Sequence, residues 1–131
     1  MAAMSDYLES ELLDHILNNN AYTSPTSVYV ALFTAAPSDS GGGTEVSGGS
    51  YARVTVTGGF TISGTATRAG NTSAITFPTA TGSWGTVTHV GVFDASSGGN
   101  LLFHGALTTS RAVVADDVFS FPADALGITL A

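Results

Sequence analysis

Residues 27–56 read SVYVALFTAAPSDSGGGTEVSGGSYARVTV. The run Val28–Phe33 is short, apolar and β-branched, which predicts a buried strand. From Ala35 to Ser50 the chain is dominated by Ala, Ser and repeated Gly, a composition that predicts a long connection with no element of its own. A second strand then opens at Ala52, entered through Tyr51 and Arg53. Strand, small-residue loop and strand again set the pattern for the rest of the chain. The longest loop holds glycines and hydroxyls in place of reactive side chains, so the contrast points to assembly instead of catalysis.

The period differs before this stretch. Asp6 to Leu17 places Leu8, Leu12 and Ile16 at i, i+4 and i+8, with Leu13 and Leu17 beside them, which predicts one amphipathic helix. Asp6 is the expected N-cap, with Glu9 as a capping-box-like partner, and His15 lies near the negative end of the helix dipole. Asn18, Asn19 and Asn20 end the helix. Its apolar stripe has two uses, covering an open end of the domain, the favoured reading, or docking on a neighbouring subunit.

Downstream, strand signals continue to the end. Candidate strands are Ser27–Thr34, Ala52–Thr57, Gly59–Ser63, Ser73–Phe77, Thr86–Phe93, Asn100–Leu107, Arg111–Ala115, Val118–Phe121 and Gly127–Leu130. Ser97 to Asn100 reads as a hairpin turn in which glycine takes positive φ. The second long connection is Ala66–Thr72. About eight or nine short strands and a single N-terminal α-helix predict an all-β fold, an antiparallel, jelly-roll-like β-sandwich. The expected organisation is one domain over residues 1–131, with the helix and its cap at 5–20 and the sandwich at 26–131.

Composition narrows the function. The 131 residues include no cysteine, so no disulfide, thiolate nucleophile or cysteine zinc site is available. There is no lysine, and Arg53, Arg68 and Arg111 face ten carboxylates for a net charge of −7. Nucleic-acid binding is not expected, because phosphate neutralisation needs clustered cations. Charged residues are only 10% of the chain, which leaves a neutral, hydroxyl-rich exterior suited to packing against other protein. The longest apolar run is far too short to span a membrane, and the acidic N-terminal stretch does not follow the basic-then-apolar order of an export signal, so synthesis in a cytoplasm is expected.

No motif assembles an active site. The phosphate loop G-x-x-x-x-G-K-[ST] is impossible without lysine, Gly41 to Gly43 precedes no helix, and G-x-S-x-G is absent. His89 and His104 on neighbouring strands, with Asp94, could face one metal ion, but as strand histidines without ligand spacing they read as structural. Asp116-Asp117 and the pair Asp39 and Glu45 do not follow a calcium-loop spacing. The expectation is therefore no catalytic residue, no metal and no cofactor. Phe60, Phe77, Phe93, Phe103, Phe119 and Phe121 read as core. Trp84, in the turn Gly82 to Gly85, is either folded back over the sandwich end or an interface anchor. Candidate protein-contact residues are Trp84, Tyr51, Arg53, Asp39 and Glu45, with Arg53 pairing to Asp39 or Glu45.

Four segments together, LESELLDHIL at 8–17, VALFTAAPSDSGGGTEVSGGSYARV at 30–54, FPTATGSWGTVTHVGVFD at 77–94 and LLFHGAL at 101–107, resemble a family of small tailed-phage structural proteins often labelled phage tail fibre proteins. The resemblance implies a non-enzymatic virion component; the expectation is a protein on the outer surface of the particle that self-associates with closed symmetry, a trimer being favoured, and contacts capsid or tail proteins. The chain shows neither repeats nor heptads for a shaft, so capsid decoration is the favoured role. A tail appendage that binds a host receptor or glycan is the rival, which expects Trp84 or Tyr51 exposed beside acids. A small polysaccharide hydrolase ranks third, since nothing sets two acids across a cleft.

Overall fold

The computed structural model describes residues 3–63 and 68–129. It contains one helix, α1 (Asp6–Leu17), and eleven strands: β1 (Ala3–Met4), β2 (Tyr29–Ala35), β3 (Thr44–Glu45), β4 (Val54–Thr55), β5 (Phe60–Ser63), β6 (Arg68–Asn71), β7 (Ile75–Thr76), β8 (Gly85–Phe93), β9 (Leu101–Val113), β10 (Ser120–Phe121) and β11 (Gly127–Thr129). Every pairing is antiparallel. The largest sheet runs β1-β9-β8-β2-β3, with β4 also on β2, and the ribbons β11-β6-β5 and β10-β7 complete the fold. The all-β antiparallel sandwich with an N-terminal helix is thus the architecture of the protein.

The expected buried strand at the head of residues 27–56 is β2, central in the large sheet. Val30, Ala31, Leu32 and Phe33 are all buried, so β2 is covered on both faces, which is why it reads as a continuous apolar run instead of an alternation. Val30 and Leu32 enter the main core, where they meet Val87, Val90, Val113, Ile75, Phe77, Phe119, Phe121 and Leu126 from the other elements. A smaller cluster joins Val92 of β8 to Ile128 of β11, with Phe60 and Phe103 packed against it. The six phenylalanines expected in the core are all buried or half-buried.

Several boundaries differ from the sequence reading, each for a physical reason. Asn100–Leu107 and Arg111–Ala115 merge into the single strand β9, because its partner β8 continues past the polar residues between them. In that stretch the register slips: β8 advances from Val87 to His89 while β9 covers Arg111 to Ala106. The extra residues bow Leu107 to Ser110 out of the sheet as a large bulge. Arg68–Asn71, expected in the connection 66–72, is strand β6, paired on both sides by β5 and β11; positions 66 and 67 lie outside the described residues, as does Leu130 of the last candidate strand. The two-residue strands β1 and β3 carry too little pattern to be seen in sequence.

The helix cap moves as well. Ser5, not Asp6, is the N-cap, and its Oγ accepts from Leu8 N at 3.2 Å. Ser5 is buried against β9, where its amide donates to Leu102 O at 2.9 Å and its hydroxyl donates to Leu101 O, a position that suits a small neutral hydroxyl better than a carboxylate. With the cap at Ser5, Glu9 falls one residue beyond the capping-box position. The apolar stripe of α1 also divides: Leu8 is buried, whereas Leu13, Ile16 and Leu17 are 59%, 72% and 73% exposed. The domain body thus uses only the first turns of its helix.

Candidate functional site

The five candidate contact residues lie on the long loop that follows β2 and on the turn before β8. Strand β3 sets Glu45 opposite Phe33, and the chain returns through Tyr51 and Arg53 into β4. Arg53 grips Glu45 in a fork, Nε to Oε2 and Nη2 to Oε1, each 2.9 Å. Its third nitrogen, Nη1, donates to Ala95 O and Gly98 O, both at 2.9 Å, tying the loop to the β8–β9 hairpin turn. The guanidinium also lies 3.7 Å from the Phe93 ring centroid. Arg53 keeps 7% of its side chain exposed and Glu45 26%, so the pair is well shielded and geometrically specific.

Tyr51 joins this fork to the sheet. Its hydroxyl donates to Glu45 Oε2 at 2.6 Å and accepts from Leu32 N at 3.0 Å, while its ring meets Trp84 edge-on at 5.4 Å. Burial alone would push the Glu45 carboxyl up, but the bonds from Arg53 and Tyr51 outweigh it and hold Glu45 below the usual glutamate range. Burial and then the bond to Glu45 drive the Tyr51 phenol far above its ordinary value, so it stays a neutral donor.

Trp84 takes the folded-back position of the two open to it. It is 4% exposed within the main core, and its Nε1 donates to Gly49 O at 2.9 Å. Gly49 has φ +55, and a Cβ there would stand 2.9 Å from Trp84 Nε1, so the close approach of loop backbone to indole requires glycine at this point. Asp39 lies apart from the fork. Its Oδ1 is 2.7 Å from His104 Nε2 on β9, and its carbonyl accepts from Asp6 N at the start of α1. Arg53 therefore pairs with Glu45 and not with Asp39, and the loop is fastened at both ends and in the middle.

The histidines and remaining acids are also separated. His104 is taken by Asp39, His89 Nδ1 is 2.8 Å from the hydroxyl of its neighbour Thr88, and Asp94 accepts from the amide and side chain of Asn100. Among the described residues no three His, Asp or Glu side chains are grouped to hold a metal ion. A recess of about 490 Å³ lies between the start of α1 and the loop, bordered by Asp6, Tyr7, Asp39, Glu45 and Asn100; of its acids, Asp39 and Glu45 are committed to the contacts above. This geometry anchors a loop end.

One residue of the same kind was not foreseen. Asn71 in β6 is 2% exposed, and its Nδ2 donates to Ser73 O at 2.8 Å and Pro122 O at 3.0 Å while Oδ1 accepts from Leu126 N at 2.8 Å. It stitches β6 to the segment that leads into β11, and every polar atom of its amide has a partner. The sequence reading placed this position only within the connection 66–72.

A β-sandwich whose loop-borne charges are used to hold its own loops in place has the character of a structural protein. More particularly, residues 3–129 match the family described as podophage GP4 fiber I protein gp80, and the chain belongs to that family. It is a phage structural protein of fibre type and a virion component. No curated protein is similar enough to count as a relative.

Proposed function

We propose that this chain is a non-enzymatic fibre-type component on the outer surface of the phage particle, acting as a homo-oligomer, with a trimer favoured. The family match over residues 3–129 carries the reading. The site geometry supports it from the physical side: Glu45, Arg53, Tyr51 and Asp39 stiffen the loop end by internal bonds, which prepares a fixed shape at low ordering cost when another subunit is met. Virion neighbours in capsid or tail are the expected partners, and binding stabilises the assembled state by mass action. In this arrangement Trp84 acts indirectly, by setting the loop from beneath.

A capsid-decoration role is the second reading, favoured by one observation: the chain has no repeat or heptad from which a long shaft is built. Antibody-gold labelling of intact particles, with copy number from a stained gel, separates the two. Fibre-type attachment expects label at the tail region and tens of copies or fewer, whereas decoration expects hundreds over the head. A chain missing from finished particles would overturn both.

A further inference from the structure

Three surface features are complementary. The first is the outer face of α1, which sets Glu9 in line with Leu13, Ile16 and Leu17; Glu9 and the three apolar side chains are all exposed. The second is a groove of about 320 Å³ beside β9, floored by Phe119, Phe121 and Leu126 and walled by Leu107 of the bulge. Its volume is small for a ligand pocket and suits a few branched side chains. The third is Arg111, on the rim of that groove. Arg53 and Arg68 are engaged by Glu45 and Asp124, but among the described residues no carboxylate lies within ion-pair distance of Arg111, which reaches only Val118 O at 3.3 Å and the Phe119 ring.

We propose that the outer face of α1 on one copy of this chain docks in the β9 groove of the next, with Leu13, Ile16 and Leu17 over the Phe119–Phe121–Leu126 floor and Glu9 beside Arg111. The charge pattern selects this pairing. Two copies meeting helix to helix would set acid against acid, since α1 carries Asp6, Glu9, Glu11 and Asp14 and no lysine or arginine. The groove supplies both an apolar floor and the one arginine without an acidic partner among the described residues. Because helix and groove are different surfaces, the contact is heterologous and closes into a ring when the rotation allows. The inference rests on the proposed self-association and gives it a surface.

The test is the oligomeric state of the full chain by light scattering and sedimentation, with a charge exchange. Wild type is expected to form a closed oligomer. Glu9→Arg and Arg111→Glu are each expected to weaken association at least about tenfold, and the double exchange to restore it to within about threefold of wild type. Leu13→Ser with Leu17→Ser is expected to give monomer. Both altered faces are exposed, so an unchanged Trp84 fluorescence spectrum certifies that each variant is folded. A monomeric wild type at about 100 μM, single exchanges that leave the oligomer intact, or a double exchange with no rescue would each overturn the docking. Incorporation of wild type into particles, scored separately by immunoblot, keeps the virion reading distinct: particles that carry the chain while the exchanges change nothing would refute this contact alone.

Discussion

The loop between β2 and β4 and the helix α1 reverse each other's appearance. The loop is glycine-rich and polar, yet it runs into the core: Tyr51 joins the large sheet, Arg53 is nearly covered, and Gly49 lies on the indole of Trp84. The helix is striped with leucine and isoleucine, yet Leu13, Ile16 and Leu17 face solvent. The difference teaches that a polar segment is held firmly where each group finds a fixed partner, and that an apolar segment stays on the surface when the body beneath it is already filled. Loop stability should therefore be lost through single polar or aromatic residues, and helix substitutions should cost the monomer little.

The sharpest break is Trp84→Ala. Removing the indole empties a fully packed site and takes one of the two donors from Gly49 O, which keeps Thr81 N, so chemical denaturation should show a loss of about 3–5 kcal/mol. Arg53→Met comes next, leaving Glu45 shielded without its cation while Ala95 O and Gly98 O lose their donor; a loss of about 2–4 kcal/mol is expected by the same measurement. Asn71→Leu removes the partners of Leu126 N and Ser73 O and one of the two donors to Pro122 O, and should cost about 2–3 kcal/mol, with early hydrogen exchange in β6 and β11.

Glu45→Gln sharpens the comparison through pH. The folded carboxyl is held below the ordinary value of 4.5, so as pH falls the unfolded chain binds its proton first. The stability from Glu45 is complete above that ordinary value and is lost as pH falls through the depressed folded one. Wild type should thus lose stability across this acidic window more steeply than Glu45→Gln. A shallower slope should remain in the variant from Asp14, held low by the amides of Asn18 and Asn20. The smallest effect is expected at the helix, where Ile16→Ser changes monomer stability by no more than about 0.5 kcal/mol; a larger loss would mean that this face is packed in solution.

The core strands were legible because long runs such as Val28–Phe33 and Thr86–Phe93 carry an apolar signal of their own. The turn at Ser97 to Asn100 was legible because Gly98 and Gly99 do take positive φ. The pairing of Arg53 with Glu45 was visible as one of two options, but the choice depended on the register that sets Glu45 opposite Phe33. Strand β6 was hidden, since Arg68-Ala69-Gly70-Asn71 has no β pattern and becomes a strand only between two partners. Asn71 likewise gains its role from Pro122 and Leu126, which are distant in sequence. The N-cap at Ser5 was missed because local rules rank serine and aspartate alike, and burial against β9 separates them.

By itself the sequence determined the fold class: one helical period and many short strand periods leave an all-β antiparallel fold, because periodicity is a local property. The tertiary structure decided which groups serve the interior and which remain on the surface. Whether Trp84 caps the core, whether Leu17 meets solvent and whether Arg111 finds an acid all depend on what residues far along the chain have already filled.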